Sequence, residues 1–103
     1  MYKLCFFVPK AHLETVKEAL FSIGAGKIGA YDSCCWQTEG IGQFRPLDGS
    51  QPYIGQPGQV EQVVESKVEM VCEDGLIQQA VDTLKKAHPY EEVAYDVIRL
   101  ESI

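Results

Sequence analysis

The amino-acid sequence predicts an α+β domain of the ferredoxin-like class, with two helices on one face of an antiparallel sheet and an extra β-hairpin. The first observation is the repetition of an apolar strand-like run followed by a helical pattern in each half of the chain. The second is a long alternating segment, Val60 to Cys72, which is typical of a strand with one buried face. Two right-handed crossovers of this kind give a ferredoxin-like sandwich, with the first and third principal strands at its centre.

The first strand is expected at Tyr2 to Val8, which is apolar, rich in aromatic residues and followed by Pro9. A helix should follow, because apolar residues recur at three- and four-residue spacing. Those residues are Leu13, Val16, Leu20 and Ile23. Gly24 stands where a helix commonly ends in a left-handed residue.

The middle of the chain predicts a pair of short strands, Tyr31 to Thr38 and Gln43 to Leu47, joined by a turn. Residues 39–42 contain two glycines, which are typical of such turns. Asp48 to Gly58 contains three glycines and two prolines and is predicted to be a loop. This loop is short for a linker, so residues 1–103 are expected to form a single domain.

The second half repeats the pattern of the first. Asp74 is a plausible N-cap for a second helix with an apolar face, and Pro89 should stop that helix. The apolar face consists of Leu76, Ile77, Ala80, Val81, Leu84 and Ala87. A last strand is expected at Val93 to Leu100.

The net charge and the cysteines exclude several classes of partner. Fifteen acidic residues against nine basic ones give a net charge of −6, which opposes binding to nucleic acid or to anionic lipid. No run approaches the 18 to 20 or so apolar residues of a membrane helix, and the apolar start is too short for a signal peptide. The four cysteines do not form a disulfide framework, so a cytoplasmic location is expected.

Two short motifs have a conspicuous spacing. Gly24 to Gly29 matches G-x-G-x-x-G, but it leaves a helix and enters a strand, whereas a dinucleotide-binding loop does the reverse. Cys34 and Cys35 are adjacent, so on a strand their side chains would point to opposite faces and would not form a zinc site. We therefore interpret the first as a helix end with a turn, and the second as structural cysteines.

The segment His88-Pro89-Tyr90-Glu91-Glu92 holds an imidazole, a phenol and two carboxylates between a predicted helix and a predicted strand. Such groups can bind a divalent metal or move a proton, and loops at such junctions often present functional side chains. The alternative is that His88 only stabilises the helix end and Tyr90 only packs. Arg45, in the predicted hairpin, could clamp an anion or form a surface ion pair.

Five ordered motifs, spread over nearly the whole chain, resemble the insert domain of YqfO-like proteins in the NGG-interacting factor three family. They are Gly26-Lys27-Ile28-Gly29, Tyr31-Asp32-Ser33-Cys34, Gly42-Gln43-Phe44-Arg45-Pro46-Leu47, Pro52-Tyr53-Ile54-Gly55 and the segment from His88 to Asp96. Lys27 stands where the family often has arginine, and Cys35-Trp36 replaces a more usual serine–aromatic pair.

The resemblance implies a fold similar to the regulator PII and to CutA, in a standalone copy of the insert. Those folds assemble as trimers with ligands in clefts between subunits. The family's two-metal site lies in the halves that flank the insert, and its residues have no counterpart here. The resemblance therefore transfers no catalytic residue to this chain.

Two functions remain open from the sequence, and an enzyme is disfavoured because no nucleophile–base pair is visible. The first is a non-enzymatic small-molecule-binding or regulatory module, whose ligand-binding residues would be Tyr31, Arg45, His88, Tyr90, Glu91 and Glu92. The alternative is a divalent-metal-binding protein that uses His88 and Glu91. In either case a homo-oligomer, most simply a trimer, is expected to form through the apolar Tyr31–Leu47 hairpin.

Overall fold

The predicted α+β class is confirmed by the computed structural model, which describes all residues from 1 to 103. Four strands and two helices alternate in the expected order, with a short 3-10 turn (Lys10–His12) before the first helix. The elements are β1 (Tyr2–Pro9), α1 (Leu13–Ser22), β2 (Trp36–Phe44), β3 (Glu61–Cys72), α2 (Ile77–Ala87) and β4 (Tyr95–Arg99). Neither helix is long or apolar enough to cross a lipid bilayer.

The sheet has the strand order β2-β3-β1-β4, and all neighbouring strands are antiparallel. The prediction that β1 and β3 are central is therefore confirmed. They are also the strands that bury most residues, because a central strand is covered by neighbours on both sides. The sheet edges are β2 and β4, and nearly every residue of β2 is exposed.

The core lies between the helices and one face of the sheet. The register pairs Leu4 with Met70 and Phe6 with Val68, which places four buried side chains on the same face. Three buried residues of each helix complete the layer, which is the result that their three- and four-residue spacing predicts. They are Leu13, Val16 and Leu20 of α1, and Ala80, Val81 and Leu84 of α2.

The predicted end of α1 is confirmed in detail. Gly24 has φ +101°, its N–H donates to the carbonyl of Phe21 at 3.0 Å, and the N–H of Ala25 donates to Leu20 at 3.2 Å. This pair of hydrogen bonds is a Schellman motif, which satisfies carbonyls that the helix itself leaves without partners. The glycine-rich segment therefore ends a helix, as interpreted.

The predicted hairpin between residues 31 and 47 is wrong. Residues 36–44 form one continuous strand, and both glycines of the expected turn lie inside it, opposite Glu65 and Val63. The physical reason is the length of β3, because its twelve residues offer backbone partners for every residue of β2. Tyr31 and Cys35 precede this strand instead of belonging to it.

The predicted N-cap of α2 is also wrong. The helix begins at Ile77 after Leu76, and no side chain caps it. The Asp74 carboxylate instead pairs with the Met1 ammonium group and with Arg99. A terminal ammonium and a guanidinium compete successfully for this carboxylate because both carry a full positive charge.

Candidate functional site

A cleft of about 680 Å³ lies where the end of β2 and the following loop meet the segment between α2 and β4. Its walls contain Phe44, Arg45 and Tyr53 from one side, and Tyr90, Glu91 and Glu92 from the other. The cleft thus brings together four of the six residues that the sequence predicts for a binding site.

The loop that forms one wall, residues 46–58, is closed at its base. The N–H of Gly58 donates to the carbonyl of Pro46 at 2.7 Å, so both ends of the loop meet. The N–H of Gln51 donates to Glu91 Oε2 at 2.6 Å, which ties the loop to the opposite wall. A closed loop of this size is an Ω-loop, a type that often carries function.

His88 is buried, with 6% of its surface exposed, and both of its ring nitrogens have partners in the chain. Nε2 lies 2.6 Å from the carbonyl oxygen of Phe7, and Nδ1 lies 3.1 Å from the backbone nitrogen of Tyr90. A carbonyl can only accept and an N–H can only donate, so Nε2 carries the proton and Nδ1 does not. Burial lowers the pKa of His88, and the Phe7 carbonyl opposes this effect.

These two hydrogen bonds decide what His88 can do. They connect β1 with the segment that follows α2, and they leave neither ring nitrogen free to bind a metal. No group of three or more histidine, cysteine, aspartate or glutamate side chains in the chain could hold a metal ion. A metal on His88 and Glu91 would therefore require His88 to give up one of these hydrogen bonds.

Tyr90 stands at the centre of an aromatic cluster. Its ring lies 4.9 Å from His88, 6.0 Å from Phe44 and 6.3 Å from Tyr53, between ring centroids. The Tyr53 ring is nearly perpendicular to the His12 ring, with 5.5 Å between the two ring centroids. We call Phe44, Tyr53 and Tyr90 the aromatic wall of the cleft.

The hydroxyl of Tyr90 is buried and has no partner at full hydrogen-bond geometry, although the Glu65 carboxylate lies close to it. His12 Nδ1 is also buried and without a partner. Burial raises the pKa of Tyr90, and the neighbouring Glu65 carboxylate adds to the effect, so the phenol stays protonated at neutral pH. A buried polar atom without a partner is uncommon in folded proteins and requires an explanation.

The charges of the cleft come from four residues. Glu65, Glu91 and Glu92 contribute carboxylates and Arg45 a guanidinium, and Arg45 forms no salt bridge within the chain. The Glu65 carboxylate lies directly over Gly42, where a β-carbon would collide with it.

Tyr31 is not part of this cleft. It is 74% exposed and lies on a separate small concavity with Lys27 and Asp32. Sequence reasoning also missed Glu65, which it assigned to the wetter face of a strand. The missing information was the register, because only the pairing of Glu65 with Gly40 and Pro9 brings it to this end of the sheet.

Several known proteins are similar to the chain over nearly all of its length. It is 46% identical over 99 residues to a Bacillus subtilis protein named GTP cyclohydrolase 1 type 2 homolog, in a match that covers 96% of the chain and 26% of the relative. A Mycobacterium tuberculosis protein of the same name is 42% identical over 98 residues, covering 95% of the chain and 26% of the relative. The chain thus spans about a quarter of the length of these curated relatives.

Solved structures extend the comparison to the fold. A Bacillus cereus protein related to NIF3 is 40% identical and superimposes with a TM-score of 0.84, over 98% of this chain and 26% of that one. CutA1 from Pyrococcus horikoshii has a TM-score of 0.70 at 17% identity, over 100% of this chain and 86% of that one, which is a similarity of fold alone.

No protein-family model matches the chain. The identities above are nevertheless high over nearly the whole chain, and they agree with the structural superposition. The chain is therefore homologous to one segment, about a quarter of the length, of NIF3-related proteins, and this segment has the CutA-like fold.

Proposed function

We propose that this chain is a non-enzymatic small-molecule-binding or regulatory module, and that its ligand occupies the cleft beside the aromatic wall. The observation that carries the proposal is the unpartnered, buried hydroxyl of Tyr90 in the wall of a cleft of about 680 Å³. A ligand that hydrogen-bonds this hydroxyl would remove the cost of leaving it unpaired.

The composition of the cleft supports the same proposal. Ligand sites are concave, mostly apolar or aromatic, and contain a few polar groups that orient the ligand. Tyr53 leaves 56% of its surface exposed at the cleft, so its ring is accessible to a ligand. Arg45, Glu91 and Glu92 supply the orienting charges.

The name of the curated relatives refers to a GTP cyclohydrolase. Because the chain corresponds to about a quarter of those proteins, we do not extend that activity to it. GTP is instead one of the compounds that a binding test should contain.

We further propose that residues 1–103 form one domain that assembles into a homo-oligomer, most simply a trimer, through β2. One continuous core cluster supports the single domain. Edge strands expose unpaired backbone groups and tend to become interfaces unless they are protected. Trp36 and Ile41 on β2 are 62% and 71% exposed, and Val64, which pairs with Ile41, is 51% exposed. The four free cysteines support a cytoplasmic location.

The variant Tyr90→Phe tests the binding proposal, because it removes only the hydroxyl. The free protein should lose an unpaired buried polar atom, so its stability should stay the same or rise by up to about 1 kcal/mol. Ligand binding should weaken, since the ligand loses its hydrogen bond to the hydroxyl. Thermal melts would measure both the stability of the free protein and ligand binding, because a ligand of the folded state raises the melting temperature. The compounds to test are cationic, neutral and anionic single-ring molecules, GTP and zinc.

Tyr95→Phe is the matched control, since that tyrosine lies outside the cleft, near Lys85. The proposal requires at least one compound whose stabilisation falls in Tyr90→Phe and is unchanged in Tyr95→Phe. If no compound stabilises the wild type, or if both variants respond equally, the cleft is not a binding site. Stabilisation by zinc that depends on His88 would favour the metal alternative instead.

A further inference from the structure

The charges and rings of the cleft point to a class of ligand, and we propose that it is a small organic cation: a protonated amine, whose N–H groups can donate to the Tyr90 hydroxyl oxygen, next to an apolar group of about one ring. This inference rests on the proposed function, since it specifies what the same cleft binds. It depends on Glu65, on the aromatic wall, and on the excess of carboxylates over the single guanidinium of Arg45 in the cleft.

The cleft carries an excess of negative charge. Three carboxylates and one guanidinium are among its lining residues; Glu91 accepts the Gln51 N–H, and Glu65 lies beside the Tyr90 hydroxyl. The chain as a whole has a net charge of −6, so the long-range field also favours cations. A phosphate or carboxylate that entered this cleft would approach carboxylates whose charge only Arg45 offsets.

Glu65 supplies the most enclosed of these charges. It is half-buried on β3, and its carboxylate lies over Gly42 because the glycine has no side chain. The carboxylate is close enough to Tyr90 to raise the pKa of the phenol, after the larger effect of burial. It forms no salt bridge, so a positively charged ligand group would be its first counter-ion.

The aromatic wall adds a second attraction for cations. Phe44 and Tyr53 are tilted against the Tyr90 ring by 58° and 46°, and all three rings line the cleft. Aromatic faces attract ammonium groups through their quadrupole, and several tilted rings together form the cages that bind quaternary amines. Neutral rings would gain the apolar contact but not this electrostatic term.

A set of probes that differ mainly in charge tests the inference: benzylammonium, benzyl alcohol and benzoate, each titrated into the protein by calorimetry or NMR. The cation should bind at least about tenfold more tightly than benzoate. Its affinity should fall as salt is raised to about 0.5 M, because the carboxylates are partly screened there.

Glu65→Gln should weaken binding of the cation by about tenfold and leave benzyl alcohol within about twofold. Glu18→Gln is the control, because it removes one carboxylate from the exposed side of α1, outside the cleft. The same titration in Glu92→Gln gives a second reading if the first variant folds poorly.

The outcomes separate this inference from the function on which it rests. Tighter binding of benzoate or GTP than of the cation, with cleft variants weakening that binding, would overturn the cation inference and leave the binding module intact. Equal loss of cation affinity in Glu18→Gln and Glu65→Gln would also overturn it. Absence of binding by every probe would overturn both.

Discussion

At the scale of single residues, His88 shows that a histidine next to carboxylates in sequence can serve to connect backbone segments through hydrogen bonds. The sequence places it beside two carboxylates, which is an arrangement that suits a metal or a proton transfer. The structure gives both ring nitrogens backbone partners: Phe7, which is 81 residues away in the sequence, and Tyr90, which is two residues away. No local pattern could have revealed the first of these contacts.

Replacement of His88 by alanine should destabilise the protein by about 2 to 4 kcal/mol, because it leaves two backbone groups without partners and creates a cavity. A histidine that only stabilised a helix end would cost about 0.3 to 1 kcal/mol. Urea unfolding of wild type and variant measures the difference, with Glu92→Gln as the control from the same segment. A loss below about 1 kcal/mol would show that the bridge contributes little.

The stability should also depend on pH through His88. Burial lowers the pKa of His88 in the folded protein, below the value of about 6.5 for an unfolded chain. The unfolded chain therefore binds a proton first as the pH falls, so the contribution of His88 is complete above about pH 6.5 and is lost as the pH falls through the lower folded value. Unfolding free energies measured across this range should decline in wild type and decline less in His88→Asn. An identical decline in both proteins would assign the effect to other groups.

At the scale of secondary-structure elements, β2 is the part of the fold that the sequence describes least well. The patterns of β1, β3 and both helices are periodic, and the structure confirms their positions within a few residues. In β2 the glycines at positions 40 and 42 suggest a turn, yet pairing with β3 holds them in an extended strand. The length of β3 decides the conformation of β2, and this influence arises only when the two strands pair.

Gly40→Thr distinguishes a turn at residues 39–42 from a continuous strand over residues 36–44. A β-carbon at this position would meet no atom within 4 Å, and threonine suits an extended strand better than glycine does. We expect the free energy of unfolding to rise by about 0.5 to 1 kcal/mol. A turn at this position would instead be disturbed by threonine, so a clear destabilisation in chemical denaturation would contradict the continuous strand.

Part of the candidate site can be predicted from the sequence, because some of its residues are neighbours in the chain. Tyr90, Glu91 and Glu92 are adjacent in sequence, and a polar cluster at a helix–strand junction is visible without a structure. Glu65 and Tyr53 join them only through the register of the sheet and the closure of the loop 46–58. Those are long-range features, so sequence patterns carry no direct sign of them.

At the scale of the whole molecule, the proposed oligomer can be followed through a single chromophore. The chain has one tryptophan, Trp36, which lies on β2 and is 62% exposed. Association through β2 should bury this ring, so its fluorescence should shift to shorter wavelength as the protein concentration rises, in step with the mass from light scattering. The variant Ile41→Lys should keep the protein monomeric, because a charge on an edge strand opposes pairing. Monomeric mass and unchanged emission at all concentrations would contradict the proposed assembly.

The central claim is that the cleft beside Phe44, Tyr53 and Tyr90 binds a small molecule, and backbone NMR tests it most directly. Benzylammonium added to ¹⁵N-labelled protein should shift the amide signals of Tyr53, Tyr90 and Gln51, whose N–H bonds to Glu91 across the cleft. The amides of residues 27–32, on the separate concavity, should stay unchanged. Shifts confined to residues 27–32, shifts spread evenly over the surface, or no shifts with this cation, benzyl alcohol, benzoate or GTP would contradict the claim.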